Sequence, residues 1–336
     1  MSVTTYDSGG SNTPLTNMYA VTKLLEYAQP VIVLGKFGEV KRMPRKKTET
    51  IGFRRPIPFQ AATVPLQEGV TPTATAFRYE DVTAVLAQYG MVIQTTDKDE
   101  DLHENDVIND AAEQAGENVG RTQEAICYGV LKAGTSVHYA NGAARNAVNT
   151  PISMNKLRAA VRGLESQKAN KVNKMLDGSL KFQTTPIEPG WIVFCHTDLE
   201  HDIRELPNFV PCSKYGSMQK LHDYELGAVE RFRFICSPDL GPIVNAGGTY
   251  NGSGTAMMST GGSSADVYPM IVIGKASYAH VPLRGKDAAT PYIIRPTPSA
   301  ADPLAQRGYV SWKFWYASVI LNQAWMTRIE VAATAL

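Results

Sequence analysis

The chain lacks most of what would mark a secreted protein, a membrane protein or an enzyme. It has four cysteines in 336 residues, Cys127, Cys195, Cys212 and Cys236, and no C-x-x-C pair. That excludes a zinc knuckle or a disulfide framework and fits reduced thiols in a reducing compartment. No apolar run approaches the ~20 residues needed to span a bilayer. Met1 to Pro14 is polar and rich in Gly, Ser and Thr, without the apolar core of an export signal, so synthesis in a cytoplasm and no membrane partner are expected. Net charge is nearly absent, with 33 Lys and Arg against 32 Asp and Glu. A chain built primarily to grip nucleic acid is more basic, so contact with a polyanion would be diffuse and local.

Catalytic signatures are missing too. There is no G-x-S-x-G elbow and no H-E-x-x-H pair. Cys195, His196, Asp198, His201 and Asp202 bring metal-ligand chemistry into one short segment, but His196 and His201 are five apart, a poor helical match for joint coordination. A strand end followed by a charged helix surface accounts for them. The glycine-rich run Ala246 to Thr255 lacks the Gly-Lys-Ser/Thr ending of a phosphate loop and reads as a flexible loop, with Met257 to Ser264 similarly loose. The chain is therefore expected to be no enzyme and to carry no cofactor or resident metal.

What is present is concentrated between Gly52 and Gly134. In Gly52-Phe-Arg-Arg-Pro-Ile-Pro-Phe59 the two prolines fix φ twice and push Arg55 and Ile57 away from helix. Pro65, Gly69 and Pro72 keep punctuating the chain, and the Thr and Val between Ala61 and Phe77 predict short strands or an open hairpin. Such an arm has too little apolar surface for a core of its own and must lie on something else. Tyr79 to Thr96 is dense in β-formers and predicts one or two buried strands. Acids then crowd a helix start, with Asn105 or Asp106 as N-cap. Val107, Ile108, Ala111, Ala112, Ala115, Val119, Ile126 and Val130 supply the apolar stripe, and Gly134 a stop. Gly116 and Gly120 inside this helix each cost ~1 kcal/mol relative to Ala and imply a close-packed partner.

Further on, Thr150 opens a helix signal with Leu157, Ala160, Val161 and Leu164 at helical spacing, and Lys168, Lys171 and Lys174 read as its solvated end. Gly190 to Cys195 is a short apolar strand, and Thr197 or Asp198 would cap the helix that follows. At the C-terminus Val310, Trp312, Phe314, Tyr316 and Ile320 share one strand face, with Lys313, Trp315, Val319 and Leu321 on the other, which predicts a strand covered on both sides. Trp325 to Val331 alternates as a half-buried strand.

The runs Thr50 to Phe59, Ala62 to Leu66, Glu68 to Pro72, Tyr79 to Thr83, Tyr128 to Gly134 and Tyr139 to Ala143, with Phe194 to Asp198, Asp266 to Pro269, Gln306 to Val310 and Ser318 to Asn322, resemble the major capsid proteins of tailed phages, specifically the enquatrovirus-like (N-four-like) branch. The resemblance covers nearly the whole chain from about Thr50. It implies an α+β Hong Kong 97-like capsid fold. An N-terminal arm would span 1–49 and an extended loop 50–78. A peripheral domain at 79–180 would contain a spine helix at 105–133, an axial domain would take 181–299, and C-terminal strands at 300–336 would return to the peripheral domain. It further implies self-assembly into hexamers and pentamers of an icosahedral shell around double-stranded DNA. Portal, scaffolding and decoration proteins are partners in that family, with assembly in the bacterial host cytoplasm and a final place in the virion. A tail-tube or sheath subunit is the alternative, and would share the arm but not the long helix.

Two features refine this expectation. Some relatives of the fold crosslink a lysine of the extended loop to a neighbour's asparagine, yet no lysine lies between Ile51 and Arg78, so the shell would hold noncovalently. Only some fifty residues precede the loop, too few for a long helical scaffolding segment. Charge is also segregated along the chain: Lys36 to Arg55 is basic and Asp97 to Glu117 acidic. Either both are solvated faces, or the basic arm of one subunit lies on the acidic helix start of another. The candidate contacts between subunits are Arg54, Arg55 and Arg78 on one side and Asp99, Glu100, Asp101 and Glu104 on the other.

Overall fold

The computed structural model describes residues 33–102, 107–176, 184–215, 220–250, 257–285, 289–298 and 302–335. In chain order the strands are Glu39–Val40 (β1), Thr50–Pro56 (β2), Tyr79–Val85 (β3), Ala87–Thr96 (β4), Val137–Tyr139 (β5), Val172–Leu176 (β6), Thr184–Cys195 (β7) and Val210–Pro211 (β8). Then come Glu225–Val229 (β9), Phe232–Cys236 (β10), Tyr268–Ile273 (β11), Tyr278–Pro282 (β12), Thr290–Ile294 (β13), Arg307–Ile320 (β14) and Met326–Val331 (β15). The α-helices are Asp97–Leu102 (α1), Val107–Lys132 (α2), Met154–Ser166 (α3) and Glu200–Arg204 (α4).

These strands make two large sheets and one hairpin. The eight-stranded sheet runs β5-β15-β11-β7-β10-β9-β8, with β6 on the first half of β7. The five-stranded sheet runs β1-β12-β14-β13, and β4 pairs along the opposite edge of β14. Among the described residues β2 and β3 pair only with each other.

Strand periodicity sorts the core. Trp191, Val193 and Cys195 of β7 point towards Leu157, Ala160 and Leu164 of α3, while Ile192 and Phe194 point the other way, towards Cys127, Tyr128 and Leu131 of α2. The first half of α2 lies elsewhere: Ile108, Ala112, Ala115 and Val119 pack on Val310, Trp312, Phe314 and Tyr316 of β14. One helix of roughly 39 Å therefore covers both sheets and holds them in register. Gly116 and Gly120 lie on its buried face, so their propensity cost is offset by packing. Gly134, expected as a helix stop, is not left-handed. Its missing Cβ makes room for the Met326 methyl group. Among the described residues no helix is long and apolar enough to cross a membrane.

Several elements depart from the sequence expectation for identifiable reasons. No strand forms between Ile57 and Arg78, where prolines remove ladder donors. β3 and β4 form as predicted but are mostly exposed rather than buried. β14 is covered by α2 on one face, while Trp315 and Val319 on the other pack only on a small cluster with Met43 and Leu86, and Lys313 is exposed. β15 is wholly buried rather than half-buried. Its Arg328 and Glu330 pair with each other (Nε to Oε1, 2.8 Å), and Arg145 closes a bidentate pair on Glu330 (2.7 and 2.8 Å). Arg328 also donates to the carbonyls of Lys132 and Gly134, which the end of α2 leaves open.

The remaining differences are local. α3 starts at Met154, after Ser153, rather than at Thr150, and Lys171 pairs with Glu165 at 3.0 Å rather than standing in solvent. The turn before α4 is capped by His196, not Thr197 or Asp198. Met257 to Ser264 is tied down: Met258 N–H donates to Ala333 O (2.8 Å), and buried Asp266 accepts from the Asn245 amide, the Thr260 amide and the Thr260 hydroxyl. In the glycine run before it, Gly247 and Gly248 are anchored by hydrogen bonds to Ala265 O and Val148 O, while 251–256 lie outside the described residues.

Candidate assembly surface

Among the described residues the longest fully exposed run is 56–81, the far end of the β2–β3 hairpin and its tip. Seven cross-strand pairs, Thr50↔Val85 to Pro56↔Tyr79, set the register, and Ile57 N–H to Arg78 O (3.0 Å) closes the ladder. That register puts Arg54 opposite Asp81 and Arg55 opposite Glu80. Arg54 grips Asp81 in bidentate fashion (2.7 and 2.9 Å), and Arg55 reaches Glu80 at 2.6 Å. The hydrogen bond between Arg54 and Asp81 raises the arginine pKa and lowers that of the carboxylate. Both pairs are solvent-exposed, so they contribute little to subunit stability.

Beyond the ladder, Phe59 stacks near Phe77 (5.9 Å) and Phe77 meets Tyr79 edge-on (4.6 Å). Gly69, at φ +77°, turns the chain back, as a glycine can without strain. The tip then presents apolar side chains to solvent, with Val64 81% and Leu66 78% exposed. With Ile57, Phe59, Val70 and Phe77 also exposed, this segment is the candidate assembly surface.

The basic-to-acidic contact is expected between subunits, and a single chain shows only where its two sides start from. Arg54 and Arg55 are matched by Asp81 and Glu80 of their own hairpin, and Arg78 is exposed with its carbonyl in the ladder. Asp99, Glu100 and Asp101 lie on α1, where Asp101 is exposed. Glu104, Asn105 and Asp106 lie outside the described residues. The partners Glu80 and Asp81 went unrecognised in the sequence, although they sit as far behind the tip as Arg54 and Arg55 sit before it.

A second feature, at the root of the N-terminal segment, carried no sequence signal. The Leu34 amide donates to both oxygens of Glu124 (3.1 Å each), and its carbonyl accepts from the Tyr278 hydroxyl (2.6 Å) and His280 Nε2 (3.2 Å). His280 Nδ1 accepts from the Tyr316 hydroxyl. Burial raises the Glu124 pKa to about 7 and lowers that of His280 to about 4. At neutral pH His280 is thus uncharged, as its donor and acceptor roles require. Leu34 is held at both polar groups where the described chain begins.

The cysteine and histidine segment is not a ligand set. Cys195 faces Cys236, and His196 bridges the Asp198 amide and Pro238 O. Asp198 accepts from the Tyr268 hydroxyl (2.7 Å), and Asp202 holds the Thr334 amide and hydroxyl. Among the described residues no cluster could hold a metal ion.

Comparison with known proteins points the same way. Residues 79–325 match the family described as phage capsid protein. A major capsid protein of Pseudomonas phage KPP21 is 22% identical over 227 residues, which cover 63% of this chain and 57% of that relative's length. Among solved structures, the capsid of Ralstonia phage GP4 aligns with a TM-score of 0.65 at 10% identity over 90% of both chains. The cyanophage Pam1 capsid aligns at 0.62, with 12% identity over 93% of both. The head of Helicobacter pylori bacteriophage KHP40 aligns at 0.57, with 12% identity over 91% of this chain and 89% of that one. At such identities the structural likeness is one of fold.

Proposed function

The chain belongs to the phage capsid protein family and has the Hong Kong 97-like fold, and from that premise we propose how it builds a phage head. It is the major capsid protein of a tailed phage, and its copies close an icosahedral shell as hexamers and pentamers around double-stranded DNA. The family match across residues 79–325 carries this reading. The work is geometric rather than chemical. α2 keeps the two sheets rigid, and the hairpin extends from that body to lay its apolar tip on the next subunit.

In finer terms, α2 with the five-stranded sheet forms the peripheral domain and the eight-stranded sheet the axial domain. On that reading β12 and β13 fall in the first and β15 in the second, across the linear boundary at 299/300, which the strand order supports. Arg54, Arg55 and Arg78 exchange partners with the neighbour's Asp99 to Glu104 region on assembly. The order of the motifs from Thr50 to Gly134 favours the enquatrovirus-like branch. A portal protein completes the particle, which assembles in the host cytoplasm with diffuse DNA contact; scaffolding and decoration proteins are the further partners the family offers. The missing lysine between Ile51 and Arg78 favours a noncovalent shell.

Negative-stain microscopy of the expressed protein, followed by denaturing electrophoresis of the particles, tests the proposal. Closed shells that run as monomers are expected. Tubes would indicate the tail-type alternative, and a band above monomer mass would overturn the noncovalent reading.

A further inference from the structure

The geometry points to a covalent link that shell building does not require: we propose that Cys195 and Cys236 join as an intrachain disulfide once the particle meets an oxidising medium. Only the place where the oxidant is met rests on the capsid reading. The chemistry of the pair does not.

β7 and β10 are parallel neighbours, and Cys195↔Cys236 is the last pair of their ladder. Adjacent strands lie about 4.8 Å apart, inside the ~4.4–6.8 Å Cα window of disulfides. Both side chains belong to the cluster beneath α3, and their sulfurs are already 3.2 Å apart. A bond of about 2.0 Å then requires a closure of roughly 1.2 Å, within reach of small side-chain rotations. The other two cysteines are placed differently. Cys127 receives the Ser318 hydroxyl, and Cys212 donates to Glu225 O.

Access gives the two sulfurs different roles. Cys195 is fully buried, and burial pushes its thiol well above the ordinary range, so it stays inert in a reducing cytoplasm. Cys236 is 6% exposed and two residues from exposed Pro238, at the end of its strand. Cys236 therefore reacts first. Its thiolate attacks one sulfur of a low-molecular-weight disulfide RSSR, forming a mixed disulfide and expelling RS⁻. Cys195 Sγ then attacks Cys236 Sγ, its proton passing to the departing sulfur so that the second RS group leaves as RSH. Two electrons pass to the reagent, which leaves as 2 RSH, and one S–S bond joins β7 to β10. The link sits beside the His196 Nε2 to Pro238 O hydrogen bond, which already ties the two strand exits together.

The test incubates assembled particles of the full-length protein with oxidised glutathione or with a reductant. Samples are quenched in acid, denatured, alkylated and mapped by mass spectrometry. The expected result is a linked peptide pair containing Cys195 and Cys236, no link in C236S, and Cys127 alkylated throughout. The oxidised wild type should melt a few degrees above the reduced form, and that difference should vanish in C236S. The proposal is overturned if both cysteines remain alkylated after half-buried Cys212 has reacted, or if glutathione stays on Cys236 unresolved. Should C236S fail to assemble, C195A supplies the unlinked control, and the wild-type peptide map decides by itself.

Discussion

Residues Trp191 to Cys195 and residues Ile57 to Tyr79 both run without helix, yet every side chain of the first is buried and every residue of the second is exposed. The first segment spends its apolar groups inside its own subunit, Trp191 and Val193 under α3 and Ile192 and Phe194 under α2. The second has comparable groups in Phe59, Val64, Leu66 and Phe77, and among the described residues nothing covers them. The body buries its apolar groups within the described chain, and the proposed role of the arm is to cover its own against a neighbour. Destabilising changes should therefore separate by region: those in the body unfold the subunit, and those in the arm leave it folded and alone.

The strongest blow to the body is Trp312→Ala. Trp312 is buried between β14 and α2 and stacked on Phe314 at 5.3 Å. The cavity should cost about 3–5 kcal/mol, seen as a lower chemical-denaturation midpoint of the unassembled subunit. An unchanged midpoint would remove the claim that α2 and β14 form a core.

A second effect comes from Glu124. A carboxyl whose folded pKa is raised to about 7 costs stability when ionised, so that cost is absent below the ordinary value near 4.5 and complete above about 7. Glu124→Gln keeps an acceptor for the Leu34 amide and removes the charge. The stability difference between variant and wild type should grow by about 3 kcal/mol as pH rises from 4.5 to 7 and then level off. Asp239, Cys127, Tyr278, His280 and Tyr316 also face this site, and comparing the two proteins at each pH cancels their own titration to first order. A pH-independent difference would mean that Glu124 is not buried as an acid.

Much of this division was legible in the sequence, because it rests on local pattern. The apolar stripe from Val107 to Val130 specifies α2, and Pro56 and Pro58 specify an arm without a ladder beyond them. The residues that misled are those whose surroundings come from far away. Val82, Val85, Met91 and Val92 favour strand, but strand propensity says nothing about which face is covered, and Val85 and Val92 are exposed. Arg328 and Glu330 read as polar faces and are buried, because Arg145 arrives across 185 residues to balance them. Glu124, Leu34 and His280 converge from three distant segments, and so do Cys195 and Cys236 across one ladder. Register, not composition, makes each of these sites.

The central claim is that the hairpin tip is an assembly surface and not part of the subunit's own fold. Val64→Asp with Leu66→Asp isolates it, since exposed positions outside a core change stability by no more than about 0.5 kcal/mol each. Particle yield by sedimentation and the thermal midpoint of the free subunit should be measured on the same preparations. The account predicts an unchanged midpoint with shell yield reduced at least tenfold. Shells at wild-type yield, or a subunit that unfolds, would contradict it.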